Sequence, residues 1–279
     1  MDTEKLFSVI QTHIKDNEYA KVRPMVNEIT SSADDIGTLL KCASLLKVVD
    51  DEEGCQKILD SVVRKAYDEK NRMSVAVSLR SLGRPDDAYD LIKDEEETDH
   101  ALYEKAASLL LMDESEEALS KMRKIKEMTA ACSYLLSEIL CSLGEFKEAH
   151  AVSLQLVNNE NSSYRSLVNL CSTLILMGRN KEAVKTAKQH LKEGKDADSL
   201  ALNAYVMRIN GKIPAAANFA HRALSADYKH KGAQETMAYC LIEKGRFIEA
   251  KIMAGAINEN DPGSVAAIRI LDACRQASR

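Results

Sequence analysis

A chain of 279 residues, 45% hydrophobic and 29% charged, has room for a sizeable core and the balance of an ordinary globular protein, which excludes disorder as its organising principle. With 11 glycines, 4 prolines, 5% aromatic residues and no tryptophan it lacks the turn punctuation and strand formers of an all-β fold, so an all-α chain is expected. The net charge of −5 excludes any general attraction for nucleic acid or anionic lipid.

The N-terminus, Met1-Asp2-Thr3-Glu4-Lys5, runs straight into amphipathic sequence, without the basic start and apolar stretch of a leader. Nowhere do 18 apolar residues run together, so a cytoplasmic location is expected. From there the chain is a series of paired helical segments, each pair turning at a GxxxxA mark. Clear marks begin at Gly83, Gly144, Gly178, Gly211 and Gly245, with weaker copies at Lys15, Asp50 and Asp113, and the spacings lie between 30 and 35 residues. A column that played no part in finding the marks tests the period. Seven residues before each mark stand Ser8, Ala43, Ala76, Ala106, Ser137, Cys171, Ala204 and Ala238, all of them small. Four residues before stand Gln11, Leu46, Leu79, Leu109, Leu140, Leu174, Met207 and Leu241, large and apolar in every case but Gln11. A small residue in mid-helix lets the hairpin partner approach closely, and the large ones fill the flanks. The glycine ends the first helix in a left-handed conformation, and acidic residues then favour the first turn of the second.

In chain order the first pair, residues 1–34, is the divergent one, because Pro24 falls inside its second helix and requires either a kink or a late start. Pro85 and Pro214 fall in first turns, where a missing N–H does no harm. The acidic run Asp94–Asp99 reads as a solvated loop and helix start rather than a cation site. Residues 130–262 are the most regular, and 264–277 form a terminal capping helix with Arg269, Asp272, Arg275 and Gln276 on its outer side.

The pattern resembles the tetratricopeptide (TPR) repeat family, whose units carry small residues at two set positions and are often closed by proline, as in Asn260-Asp261-Pro262. The resemblance implies a single right-handed α-solenoid over 1–279, of about eight helical hairpins plus the capping helix. The chain departs from the family at the tryptophan-type position, where Glu4, Leu39, Arg72, Leu102, Ser133, Leu167, Leu200 and Gln234 stand. Some members hold C-terminal carboxylates in a clamp of Lys and Asn residues. Here Lys5 matches one clamp position, but Val9 and Lys41 replace the required asparagines, so that activity is not expected.

Catalytic and nucleotide signatures are absent, the six histidines are dispersed, and the seven cysteines are never spaced as CxxC, so no enzyme, metal site or cofactor is expected. The resemblance places a partner-binding groove on the first helices of the hairpins. There the pattern brings Tyr103, Tyr134, Tyr205 and Tyr239 to one face with Arg80, Arg208 and Glu138, and tyrosine and arginine suit protein recognition. The alternative for the tyrosines is packing between neighbouring helices. The expected function is a non-catalytic scaffold or adaptor for protein binding, taking a protein or peptide segment in that groove. A self-assembling structural subunit, hence a homo-oligomer, is the alternative. An RNA-binding helical repeat is third, since Arg80 and Arg208 are mixed with Glu138 and Glu235 instead of forming a basic stripe.

Overall fold

A computed structural model of the chain describes residues 3–16, 18–49, 51–66, 72–160, 162–193, 196–260 and 265–277. The described residues form helices and no strand, an all-α helical-repeat fold. In chain order these are α1 (Thr3–Lys15), a 3₁₀ turn (Tyr19–Lys21), α2 (Val22–Ser32), α3 (Ile36–Val48), α4 (Glu52–Ala66), α5 (Arg72–Ser81) and α6 (Pro85–Ile92). Then come α7 (Asp99–Leu111), α8 (Ser115–Met122), α9 (Ala130–Ser142), α10 (Phe146–Asn159), α11 (Tyr164–Leu176) and α12 (Asn180–Glu193). The last are α13 (Ala197–Ile209), α14 (Ile213–Ala226), α15 (Lys231–Ile242), α16 (Phe247–Asn260) and α17 (Val265–Ala277). Among the described residues there are seventeen α-helices, of which α1 to α14 form seven successive packed pairs.

The turns explain the marks. Gly83, Gly144, Gly178, Gly211 and Gly245 have φ between 71° and 90°, and Asp113, which stands in the same column, has φ 67°. Around Gly144, Gly178, Gly211 and Gly245 nothing lies within 4 Å of where a Cβ would stand, so backbone conformation, and not crowding, selects glycine there. The helix that follows lacks a side-chain N-cap at α6, α8, α10 and α14. The helix that opens the next pair has one: Asp35, Thr98, Thr129, Ser163, Asp196 and His230 each accept a hydrogen bond from the backbone N–H three residues on. A cap of this kind is worth about 1 kcal/mol.

The small column is buried at Ala43, Ala76, Ala106, Ser137, Cys171, Ala204 and Ala238, and so are the closing Cys55, Ala88, Ala118, Ala149, Ala183, Ala216 and Ala250. Contact between the two columns is direct at Cys171, whose Sγ lies 3.7 Å from the Ala183 carbonyl oxygen. The first pair departs. Ser8 and Gln11 are exposed while Leu6, Ile10 and Ile14 are buried, so Lys15 is not the turn mark of that pair. Its second helix starts late, at Val22 after the 3₁₀ turn, which puts Pro24 in the first turn where its missing N–H costs nothing.

Packing gathers the helices into two units, residues 1–94 with 245–279, and residues 95–244. In the first, α3 packs on α4, α5 on α6, and α16 on α17, and α17 also packs on α3. Ile268, Ile270, Leu271 and Cys274 are the buried face of α17. Arg269 and Gln276 are exposed, as read from sequence, but Asp272 and Arg275 are not outward: they turn to the α3–α4 hairpin, where Arg275 Nη1 lies 2.9 Å from Glu52 Oε2 and Asp272 Oδ1 lies 3.6 Å from Lys47 Nζ. Pro262 and Ser264, the expected end of the last pair and start of the terminal helix, lie outside the described residues.

In the second unit the pairs α7–α8, α9–α10, α11–α12 and α13–α14 pack as hairpins, and α15 lies on α13 and α14. Between hairpins the first helices meet in the order α7, α9, α11, α13, α15. One core cluster joins Leu167, Leu170, Cys171, Leu174, Ala183 and Ala187 to Leu202 and Val206 of the next hairpin. The acidic run before α7 has structural work: Asp99 accepts from the backbone N–H groups of Lys126 and Glu127 at 3.1 and 2.9 Å, and Glu97 pairs with Lys124.

Candidate functional site

Five adjacent first helices in the second unit present one side chain layer, and the recognition residues expected from sequence fall on it unevenly. The pair α13–α15 gives the densest group. The Arg208 guanidinium stands over the Tyr239 ring, its Cζ 4.8 Å from the centroid, and 6.0 Å from the centroid of Tyr205. Each such cation–aromatic contact contributes about 0.5–1 kcal/mol and fixes the plane of the guanidinium. The α13 spacing makes this possible, because Tyr205 and Arg208 are three residues apart on one face.

The hydroxyl of Tyr205 reaches across to α11 and meets Ser172 Oγ at 2.6 Å. The Ser172 hydroxyl donates to the Val168 carbonyl at 2.8 Å, so Tyr205 is the donor in the pair. Burial raises the Tyr205 phenol above its ordinary range, which already leaves it protonated and able to donate at neutral pH. The Arg208 side chain is only 17% exposed, yet its bonding is incomplete. Nη1 lies 3.7 Å from Glu243 Oε1, beyond hydrogen-bond reach, and the buried Nε–H has no acceptor. A buried donor left unmet costs about 1–3 kcal/mol.

Tyr134 is placed differently. It is buried at 5% exposure, its hydroxyl donates to Glu160 Oε2, and Arg165 covers its ring at 4.0 Å. Burial first, and then the Glu160 carboxylate, push its phenol up to about 12. Its ring therefore serves the junction of α9 with α10 and α11. Glu138, one turn along α9, is exposed, and Tyr103 on α7 is half-buried. Arg80 is half-buried on α5 in the other unit.

Sequence reasoning missed Ser172, Arg165 and Glu243, which complete these contacts, and also Tyr164. Tyr164 stacks edge-on against His230 with centroids 4.9 Å apart. A Cβ on Gly232 would overlap the Tyr164 hydroxyl, so the glycine lets α15 start beside that ring without displacing it. His230 caps α15 through Nδ1, 3.1 Å from Ala233 N, and its Nε2 lies 2.9 Å from Asp198 Oδ1. The caps themselves had a signal: all six stand fifteen residues before a mark.

Among the described residues no group of three or more His, Cys, Asp or Glu side chains could hold a metal ion. No helix of the described residues is long and apolar enough to cross a membrane. Burial pushes the Cys171 thiol up to about 12 and the thiols of Cys42 and Cys55 up to about 11, so these three are core residues without thiolate character.

Residues 52–122 match the family model described as tetratrico peptide repeat. No curated protein matches the chain in sequence at a significant level. Among solved structures, a tetratricopeptide repeat protein from Parabacteroides merdae is 13% identical, with a TM-score of 0.51 over 86% of this chain and 98% of that one. TTC0263, a thermophilic TPR protein from Thermus thermophilus, is 20% identical, with a TM-score of 0.47 over 62% of this chain and 98% of that one. Yeast Tom70 is 12% identical, with a TM-score of 0.48 over 94% of this chain and 59% of that one.

Proposed function

We propose, from the match of residues 52–122 to the tetratricopeptide repeat model, that the chain is a non-catalytic scaffold or adaptor of the cytoplasm, holding a segment of a partner protein on the first-helix layer of residues 95–244. The observation that supports this reading is Arg208. Its guanidinium is oriented by two tyrosine rings, largely desolvated, and short of an acceptor at Nε. A carbonyl or carboxylate brought by a partner would complete it in the forked geometry that arginine offers. Tyr205 and Tyr239 flank the position with large rings of few rotors, the residue types that carry interface energy. Tyr103 and Glu138 extend the same layer, Tyr134 supports it from beneath, and Arg80 belongs to the face of the other unit.

A random peptide library selected on the immobilised chain tests this directly. Enriched peptides should share an acidic group or an exposed carbonyl-rich turn, and should compete with one another. A library that returns no enrichment over the bare support would sink the reading.

A second reading, a self-assembling subunit, is favoured by one feature of the first unit. Helix α16 exposes Ile248 at 77% and Ile252 at 49%, one turn apart, while Ala250, Ala254 and Ile257 are buried. A helix apolar on both sides is built for more than one neighbour. Sedimentation separates the two: a monomer at all concentrations leaves the adaptor, and a stable oligomer dissolved by Ile248→Asp establishes the subunit.

A further inference from the structure

Positive charge is unevenly distributed on this acidic chain. On several helices a cation is matched by a carboxylate one turn away, as in Lys57–Glu53, Lys93–Asp90, Lys121–Glu117 and Arg246–Glu249. Helix α12, the second of its hairpin, carries a row of lysines that is not matched in this way. Lys181, Lys185 and Lys188 follow one another at helical spacing and all three are exposed. The one carboxylate in the first turn, Glu182, is gripped by Arg179 through Nε and Nη2 at 2.6 and 2.7 Å. Among the described residues no acidic group pairs with Lys181 or Lys188. The following second helix, α14, has no acidic residue at all.

The three lysines are not simply splayed into solvent. With Val184 and Gln189 of the same helix they border a shallow, solvent-open surface cleft of about 450 Å³, all of whose lining comes from α12, and half-buried Val184 is its apolar side. Lys181 and Lys188 lie about 10 Å apart along the axis, from the rise of an α-helix. Three like charges within that distance repel one another, and the repulsion is relieved by carboxylates laid along them. We propose that this cleft is a second docking surface, separate from the first-helix layer, and that it takes an acidic peptide segment of a partner protein bearing an apolar side chain between its carboxylates. The short reach of the lysine row and the net charge of −5 favour a peptide over a nucleic acid, whose long polyanion would meet the repulsive field of the rest of the chain.

The test is fluorescence anisotropy with a labelled peptide of alternating Glu and Leu pairs, with labelled oligo-dT of equal charge as comparator. The full chain should bind the peptide, and affinity should fall by about tenfold or more when salt rises from about 0.05 to about 0.5 M. Lys181→Gln/Lys185→Gln/Lys188→Gln should lose binding by about tenfold or more with its helical signal unchanged. Lys57→Gln/Lys65→Gln/Lys93→Gln, which removes three lysines engaged in ion pairs, should bind as the parent does. The proposal fails if the parent does not bind, if the two triple variants bind alike, or if oligo-dT binds as tightly as the peptide. It fails equally if the parent is an oligomer that the α12 variant dissolves, since the cleft would then be filled by a second copy. Because Arg208 is intact in both variants, loss of this surface leaves the first-helix reading untouched.

Discussion

At the scale of single residues, the left-handed turns give a prediction with opposite signs at two equivalent positions. Gly178 has φ 72° and open space around its Cα, so Gly178→Ala imposes only backbone strain, about 1 kcal/mol. Asp113 already bears that strain at φ 67°, and Asp113→Gly should be neutral to stabilising by a few tenths of a kcal/mol. Urea melts of the two variants check both signs. Leu174, 3% exposed in the cluster with Cys171 and Ala183, should cost about 2–5 kcal/mol on truncation to Ala through the cavity left behind. Ala204, fully buried, should cost about 1–3 kcal/mol on enlargement to Leu. If both changes were silent in urea, the assignment of inner and outer helix faces would be wrong.

At the scale of elements, α17 is held on the α3–α4 hairpin by Lys47, Glu52, Asp272 and Arg275. Burial pushes the Glu52 carboxyl up, but hydrogen bonds from Gln56, Arg275 and Lys47 outweigh it and hold the group at about 2. A carboxyl depressed in the fold stabilises it above its unfolded value, near 4.3, and loses that contribution as the pH falls toward 2. Glu52→Gln should therefore lower stability at neutral pH and flatten the acid limb between about pH 4.5 and 2 in a pH-resolved melt. Arg275→Ala should do the same in part, since the Glu52 carboxyl keeps Lys47 and Gln56. An acid limb unchanged by either variant would show that the α17 contact does not persist in solution.

The elements also show what could be read from sequence and what could not. The hairpin turns were legible because a backbone conformation that few residues tolerate leaves a glycine, or an aspartate, in a fixed column. The buried column was legible because a close helix contact admits only small side chains. The first pair was not, since its 3₁₀ turn displaces the hairpin turn from Lys15, and small Ser8 matches the column by chance while standing exposed. Tyr134 could not be told from Tyr205 by spacing: its partners Glu160 and Arg165 come from other helices, and only three-dimensional packing brings them over the ring. The α17 contact joins residues more than 200 positions apart, which no local pattern encodes.

At the scale of the molecule, repeat packing makes stability a sum of neighbour terms, so damage should stay local. Leu174→Ala should raise hydrogen exchange in α11–α14 and leave α3–α6 and α17, which belong to the other unit, at their parent rates. Uniformly faster exchange across both units would indicate one cooperative body. The central claim, that Arg208 and its two tyrosines hold a partner segment, is tested most directly by calorimetric titration of library-selected peptides into the parent chain, Arg208→Ala and Arg208→Lys. The account predicts that Arg208→Ala costs about 2 kcal/mol of binding, roughly thirtyfold, that Arg208→Lys recovers little because the fork is lost, and that helical signal and melting are unchanged. Equal affinity for all three chains, or a loss of binding that tracks a loss of stability, would contradict it.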